Sequence, residues 1–315
     1  MNTHIVTVTN DCLWNLPELY SFLIENTHKK IRLVLNPESV CLQTIGLYDI
    51  LDKFQFEQVK IYTKNSLEAH NNYDIVINNP FNFLQETPKI DFNLHTWNQT
   101  KIFMCLYGRP NANRLGILSY LNSRYKDISH LSCQGNVDDM NSRKLFELEK
   151  LFEFRKESLV EFANLVTAMP LKLSNKSNYS FVKYNYEDPA TQFYQDIFID
   201  IVSETIVAGN SFFVTEKTVR PMLLKKPFII FGTKNFLIYL RQMGFKTFYE
   251  YWDEDYDGFE KKDRFLKILT IIDSIGKKSK SELCAMYQDM QHILDHNYNL
   301  LVSKKYIKQI TLVND

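Results

Sequence analysis

Glycine is scarce in this chain, with 9 in 315 residues, and proline matches it at 9. No Gly-rich phosphate loop occurs, which excludes the P-loop nucleotide hydrolases as a class. Cysteine numbers 5. Cys12, Cys41, Cys105, Cys133 and Cys284 are widely spaced and form no C-x-x-C pair, so reduced thiols are expected rather than a disulfide framework. No Cys/His group has zinc-ligand spacing, and no Ser-His-Asp arrangement is apparent. An excess of one charge is missing too. Lys plus Arg and Asp plus Glu are 37 each, for a net charge of +0, so no global field draws in nucleic acid. No apolar run approaches the ~20 residues of a membrane span. Met1 to Val8 runs directly into a strand-like pattern unlike a signal peptide, and a cytoplasmic location is expected.

What remains is an ordinary globular composition, 45% hydrophobic and 23% charged, enough to bury a large core. The length suggests two domains. Abundant Asn, Lys, Ile, Tyr and Phe with little Gly suit an AT-rich genome, such as that of a phage, a giant virus or a host-dependent bacterium.

The pattern along the chain is β-α-β. His4–Thr9 alternates and predicts a strand, Leu13–Glu25 a helix, Lys30–Leu35 a strand and Leu42–Leu51 a helix. Short strands follow at 59–62 and 74–77. This order predicts a parallel sheet with covering helices. Residues 84–98 are polar and serve as the expected linker. A second set begins with strand 101–106 and helix 115–125, then a strand at 129–133 and a helical insertion at 138–168. Asp196–Val202 is a near-continuous apolar run, as in a strand buried on both faces. Strand 228–231, helix 235–243, strand 245–248, an acidic loop at 253–257 and helices at 263–275 and 281–301 complete the pattern. The expected domains are 1–95, 96–285, and a C-terminal helix within 286–315 that crosses back to the first.

The most informative segment is Val214-Thr215-Glu216-Lys217-Thr218-Val219-Arg220-Pro221. Thr215 fits a helix N-cap, and Glu216 falls in the first turn, where the helix dipole favours an acid. Lys217 and Arg220 are three apart and share a face. A helix start carrying two cations suits phosphate. Arg109 and Arg114 follow the strand at 101–106, where two guanidiniums form a sensible diphosphate clamp. Each is also an ordinary residue of a turn or helix start.

The run from Thr215-Glu216-Lys217 through Lys226-Pro227 to the apolar strand ending at Gly232 resembles the donor-binding motif of fucosyltransferase-like glycosyltransferases. Leu106 to Arg114 fits their Leu-x-x-Arg-x-x-x-x-Arg pattern, and Trp252-Asp253-Glu254 is similar to a loop of related donor domains. The match is strongest over 203–258 and weaker over 99–125, and the lack of an N-terminal anchor departs from the Golgi members. The resemblance implies an α/β fold of two Rossmann-like domains (GT-B) with a helical insertion in the second. It implies a nucleoside-diphosphate sugar as co-substrate, Lys217 on the diphosphate and Glu216 on the ribose or base. An acid at the strand end, Glu204, would lie near the nucleotide or sugar, unless it only caps the next element. An inverting, metal-independent transfer is expected.

Such a transfer needs a general base from the first domain. Glu38 and then Asp11 follow strand ends and are the candidates, each also suited to helix capping; His95 is third. The acceptor is left open between a glycan, a lipid-linked sugar, a protein and 5-hydroxymethylcytosine in phage DNA. The DNA acceptor would need a flipped base and basic contacts from Lys29, Lys30 and Arg32 or from Lys277, Lys278 and Lys280. A non-catalytic nucleotide-sugar-binding module and a nucleotide hydrolase on a similar fold are the competing readings.

Overall fold

The structure is a computed structural model that describes residues 4–9, 16–36, 41–78, 95–108, 110–135, 148–150, 153, 157–173 and 191–306. These residues form an α/β protein with two parallel sheets. They fall into two compact units, one within Met1–Phe83 and Ala208–Thr215, the other within Leu84–Val207 and Glu216–Asp315. No described helix is long and apolar enough to cross a membrane.

The first unit runs β1 (His4–Thr9), α1 (Leu16–Glu25), β2 (Lys30–Asn36), α2 (Leu47–Leu51), β3 (Gln58–Thr63) and β4 (Asp74–Ile77). Its strands lie in chain order, β1-β2-β3-β4. Right-handed crossovers between successive neighbours place their helices on one face of a sheet, and burial agrees. Ile31, Leu33 and Leu35 of β2 pack with Val59 and Ile61 of β3, with Leu19 and Leu23 of α1, and with Leu47, Tyr48 and Leu51 of α2. Between them, Arg32, Val34, Lys60 and Tyr62 point the other way and are only half-buried. The helix expected from Leu42 begins only at Leu47, because Gly46 takes a left-handed φ of 73° and closes a turn first.

Residues 208–215 return to this unit as a strap. Asn65, fully buried, holds it. Its Oδ1 accepts from the Phe212 N–H at 2.9 Å and its Nδ2 donates to the Asn210 carbonyl at 3.4 Å. The Ser66 N–H donates to the Phe212 carbonyl at 3.2 Å. Glu68 accepts from Asn65 Nδ2 at 2.9 Å, from Tyr48 Oη at 2.7 Å and from the Leu42 N–H at 3.1 Å.

The second unit contains β5 (Phe103–Tyr107), α3 (Ala112–Arg124), β6 (Ser129–Cys133), α4 (Ser158–Ala168), β7 (Ile199–Ser203), α5 (Glu216–Leu223), β8 (Phe228–Phe231), α6 (Phe236–Gln242), α7 (Lys261–Gly276), α8 (Lys280–Asp289) and α9 (Gln291–Ser303). The strands of β5, β7 and β8 are buried at every position, as befits a parallel sheet covered on both faces. The strand order is β6-β5-β7-β8. The chain winds outward from β5 to β6, then returns past β5 to β7 and β8.

Several expectations are corrected here. Residues 245–248 form no strand. Their backbone is met by side chains instead: Asn297 Oδ1 accepts from the Lys246 N–H at 2.8 Å, and its Nδ2 donates to the Lys246 carbonyl at 2.9 Å. Phe245 and Phe248 are apolar because they pack on Tyr306 and on Trp252. The single helix expected at 281–301 is two, α8 and α9, the first opened by a capping box of Ser279 and Glu282. Of the expected linker, residues 95–98 are tied into the second unit, where Trp97 Nε1 donates to Lys101 O at 2.9 Å and Asp196 O at 3.0 Å. The described part of the C-terminal segment packs within the second unit, α9 against α5. Of the segment expected as a helical insertion, 138–168, the helix α4 is described at Ser158–Ala168, and residues 138–147, 151–152 and 154–156 lie outside the described set.

Candidate functional site

Open parallel sheets gather ligands at the carboxyl ends of strands, where the winding reverses. In the second unit that point lies between β5 and β7. β5 ends at Tyr107, and the chain passes Gly108 into α3. Among the described residues, a Cβ added at Gly108 would meet nothing within 4 Å. The Gln134 N–H, just after β6, donates to the Gly108 carbonyl at 3.0 Å and fixes the rim. Asn111 caps α3, its Oδ1 accepting from the Arg114 N–H at 3.0 Å. α5 follows the carboxyl end of β7. Both helices therefore begin at the same end of the sheet, where their N–H groups and dipoles favour an anion.

Arg114 lies in the first turn of α3, 6% exposed, its guanidinium 5.7 Å from the centre of the Tyr107 ring. Lys217 lies in the first turn of α5. Its Nζ donates to Glu216 Oε1 at 2.7 Å and to Thr205 Oγ1 at 3.4 Å, which brings an ammonium to the residues just beyond β7. Burial pushes the Glu216 carboxyl up, but the Lys217 ammonium beside it prevails and holds it below its ordinary value. Glu216 is thus an ionised acceptor at a helix start. Glu204 is buried and accepts from Thr218 Oγ1 at 2.6 Å, bracing the end of β7 against the first turn of α5. Thr215 is buried as the last residue of the strap.

Arg220 is used differently from Lys217 despite their spacing. It is buried, bonded to Tyr194 Oη, and donates to Asp200 Oδ2 at 3.2 Å. Tyr194 Oη also bonds Asp200. Burial pushes the Asp200 carboxyl up, partly offset by Arg220. The one sequence signal for this cluster is an Asp inside the apolar run Ile197-Phe198-Ile199-Asp200-Ile201.

The acidic loop turns two carboxylates inward. Glu254 accepts from Arg241 Nη1 at 3.0 Å and from the Phe248 N–H at 2.8 Å. Asp257 accepts from the Leu237 N–H at 2.8 Å and the Ile238 N–H at 3.3 Å, at the start of α6. His95 stands at the far end of α5, its Nε2 3.1 Å from the Leu223 carbonyl, and burial lowers its pKa. That places it away from the strand carboxyl ends. Lys29 Nζ donates to Glu25 O at 3.1 Å, and Lys30 pairs with Glu57 at 3.2 Å. Asp11, Glu38 and Arg109 lie outside the described residues.

Sequence reasoning singled out Lys217, Glu216, Glu204 and Arg114, and all four stand at or just beyond the carboxyl ends of β5 and β7. It did not find Thr205, which meets Lys217, or Thr218, which meets Glu204. No family model, curated protein or solved structure matches the chain.

Proposed function

We propose that this chain is a glycosyltransferase that moves a sugar from a nucleoside-diphosphate sugar to an acceptor hydroxyl, with inversion and without a metal ion. The observation that carries the reading is the Lys217 ammonium held between Glu216 and Thr205 just beyond β7, beside the reversal of winding. The fucosyltransferase-like motif adds to it. Lys217 and Arg114 meet the diphosphate, and Glu216 accepts from the ribose or base.

In the transfer, the bond between the anomeric carbon and the β-phosphate oxygen breaks, and its electron pair leaves on the diphosphate. The acceptor oxygen bonds the anomeric carbon from the opposite side, and its proton passes to a carboxylate, Glu38 or Asp11. Stabilising the charge that grows on the leaving diphosphate is the largest contribution asked of the protein.

The test is thermal unfolding across a panel of nucleoside diphosphates and their sugars. A ligand that binds only the folded state at about a hundred times its Kd stabilises by about 2.7 kcal/mol. One base is expected to give a clear shift, and Lys217→Ala to abolish it while leaving the unliganded melting temperature nearly unchanged. No shift with any nucleotide, alone or with glycans or DNA present, would sink the proposal. A shift without donor turnover under any acceptor would leave a binding module in its place.

A further inference from the structure

At the amino ends of β2, β3 and β4 lies a shallow hollow of about 530 Å³, broadly open to solvent. Three half-exposed rings face it: Phe54, Phe56 and Tyr73. The rings are well held. Phe54 and Phe56 pack with centroids 6.0 Å apart, and Tyr20 meets Phe54 edge-on at 6.0 Å. Tyr73 donates to Asp52 Oδ1 at 2.5 Å and stacks on His70 at 4.8 Å. The wall between them is fixed by two backbone hydrogen bonds, His28 N–H to Gln55 O at 2.7 Å and Glu57 N–H to Lys29 O at 3.0 Å.

Half of the polar lining is amide; His28, Glu57 and Tyr73 supply the rest. Gln55, Gln58 and Asn72 are exposed there, and each carries both a donor and an acceptor. Among the described residues, no lysine or arginine lines the hollow. Its carboxylate, Glu57, is met by Lys30 Nζ at 3.2 Å. The lining therefore holds no ammonium or guanidinium of its own; the exposed His28 imidazole stands at its rim, and the Glu57 carboxylate is already compensated by Lys30. A neutral ligand remains, with an apolar face for the rings and a ring of hydroxyls for the amides. We propose that this hollow binds a neutral saccharide, with pyranose C–H faces against Phe56 and Tyr73 and hydroxyls on Gln58 and Asn72. The proposal stands apart from the transfer reading: a chain that bound sugar here and never turned over a donor would satisfy it.

Saturation-transfer NMR on the full chain tests it, with cellotriose, maltotriose, lactose and chitotriose as probes. Tetramethylammonium serves as the control. At least one saccharide is expected to receive saturation at its ring C–H protons. Gln58→Ala and Asn72→Ala should each weaken its binding by about two- to tenfold, the worth of one neutral hydrogen bond, without moving the melting temperature. Phe56→Gln should abolish the signal. Silence from all four saccharides overturns the proposal. Transfer to tetramethylammonium alone overturns it in favour of an aromatic cation cage. A saccharide signal unchanged in all three variants places the contact elsewhere and overturns it as well.

Discussion

Arg220 keeps its charge in the interior of the second unit, where only 4% of the residue is exposed and Asp200 is 0% exposed. Removing one member of such a pair leaves the other ion buried alone, at a cost of about 3–5 kcal/mol. Arg220→Ala is therefore expected to lower the urea midpoint strongly with an unchanged m-value. Arg220→Met combined with Asp200→Leu should recover much of the loss. The opposite pattern, stability kept and nucleotide response lost, would return Arg220 to the ligand. Lys217 differs because its side chain sits at the solvent boundary, 15% exposed, beside a Glu216 that is 31% exposed. Its removal leaves a partly wet carboxylate rather than a fully buried ion, so its replacement should cost less in folding than that of Arg220 and be felt mainly in binding. Spacing alone could not separate the two cations. An i, i+3 relation says that two residues share a face, and the depth of the neighbouring sheet decides which one the core takes.

At the scale of elements, apolar runs and alternation made the sheets legible. Phe103–Tyr107, Ile199–Ser203 and Phe228–Phe231 are strands because nearly every position is apolar and buried. The strap at 208–215 was not legible. It has no periodicity, and its place depends on residues far away in sequence, Ser66 and above all Asn65, whose side chain imitates a backbone partner. The misread strand at 245–248 has the same cause, with Asn297 in the part of the absent neighbour. Asn65→Leu keeps the bulk and deletes the hydrogen bonds, leaving the Phe212 N–H without this acceptor. A cost of about 1–3 kcal/mol is expected for a buried group so deprived. Amide exchange at Phe212, and at Leu67, whose N–H also donates to Asn65 Oδ1 at 3.2 Å, should accelerate far more than exchange in β2 and β3. Uniform acceleration across the first unit would mean that Asn65 supports the fold at large rather than the strap.

For the whole molecule, equal numbers of cations and anions cancel in net charge, and buried ionisable groups give stability its pH dependence. Lys226 is 1% exposed. Its Nζ donates to the Thr96 carbonyl at 2.5 Å and lies 5.3 Å from the centre of the Tyr287 ring. Burial pushes its pKa down to about 7, with Asp196 pulling it partly back. Between that value and the ordinary lysine value of 10.5, the unfolded chain holds a proton that the folded chain has released, so stability rises with pH across this window. Asp257 acts with the opposite sign. Burial raises its carboxyl from 3.8 to about 6, so between those values the folded chain holds the extra proton and stability falls as pH rises. Lys226→Met is expected to flatten the rise between about pH 7 and 10, a slope of up to ~1.4 kcal/mol per pH unit. Urea titrations of the second unit's transition at several pH values would measure it, and an unchanged slope would assign the alkaline limb to other groups.

The first unit is assembled from two stretches of chain, with residues 84–207 made between them. On the ribosome, Asn65 emerges long before Phe212. Synthesis must pass through β5, α3, β6 and β7 before the strap exists. The amino-terminal sheet therefore spends most of translation with its strap-binding groups turned to water or to a chaperone. A pause some way beyond codon 215, once the strap has cleared the exit tunnel, rather than at the end of the first four strands, would be the one that lets this unit close.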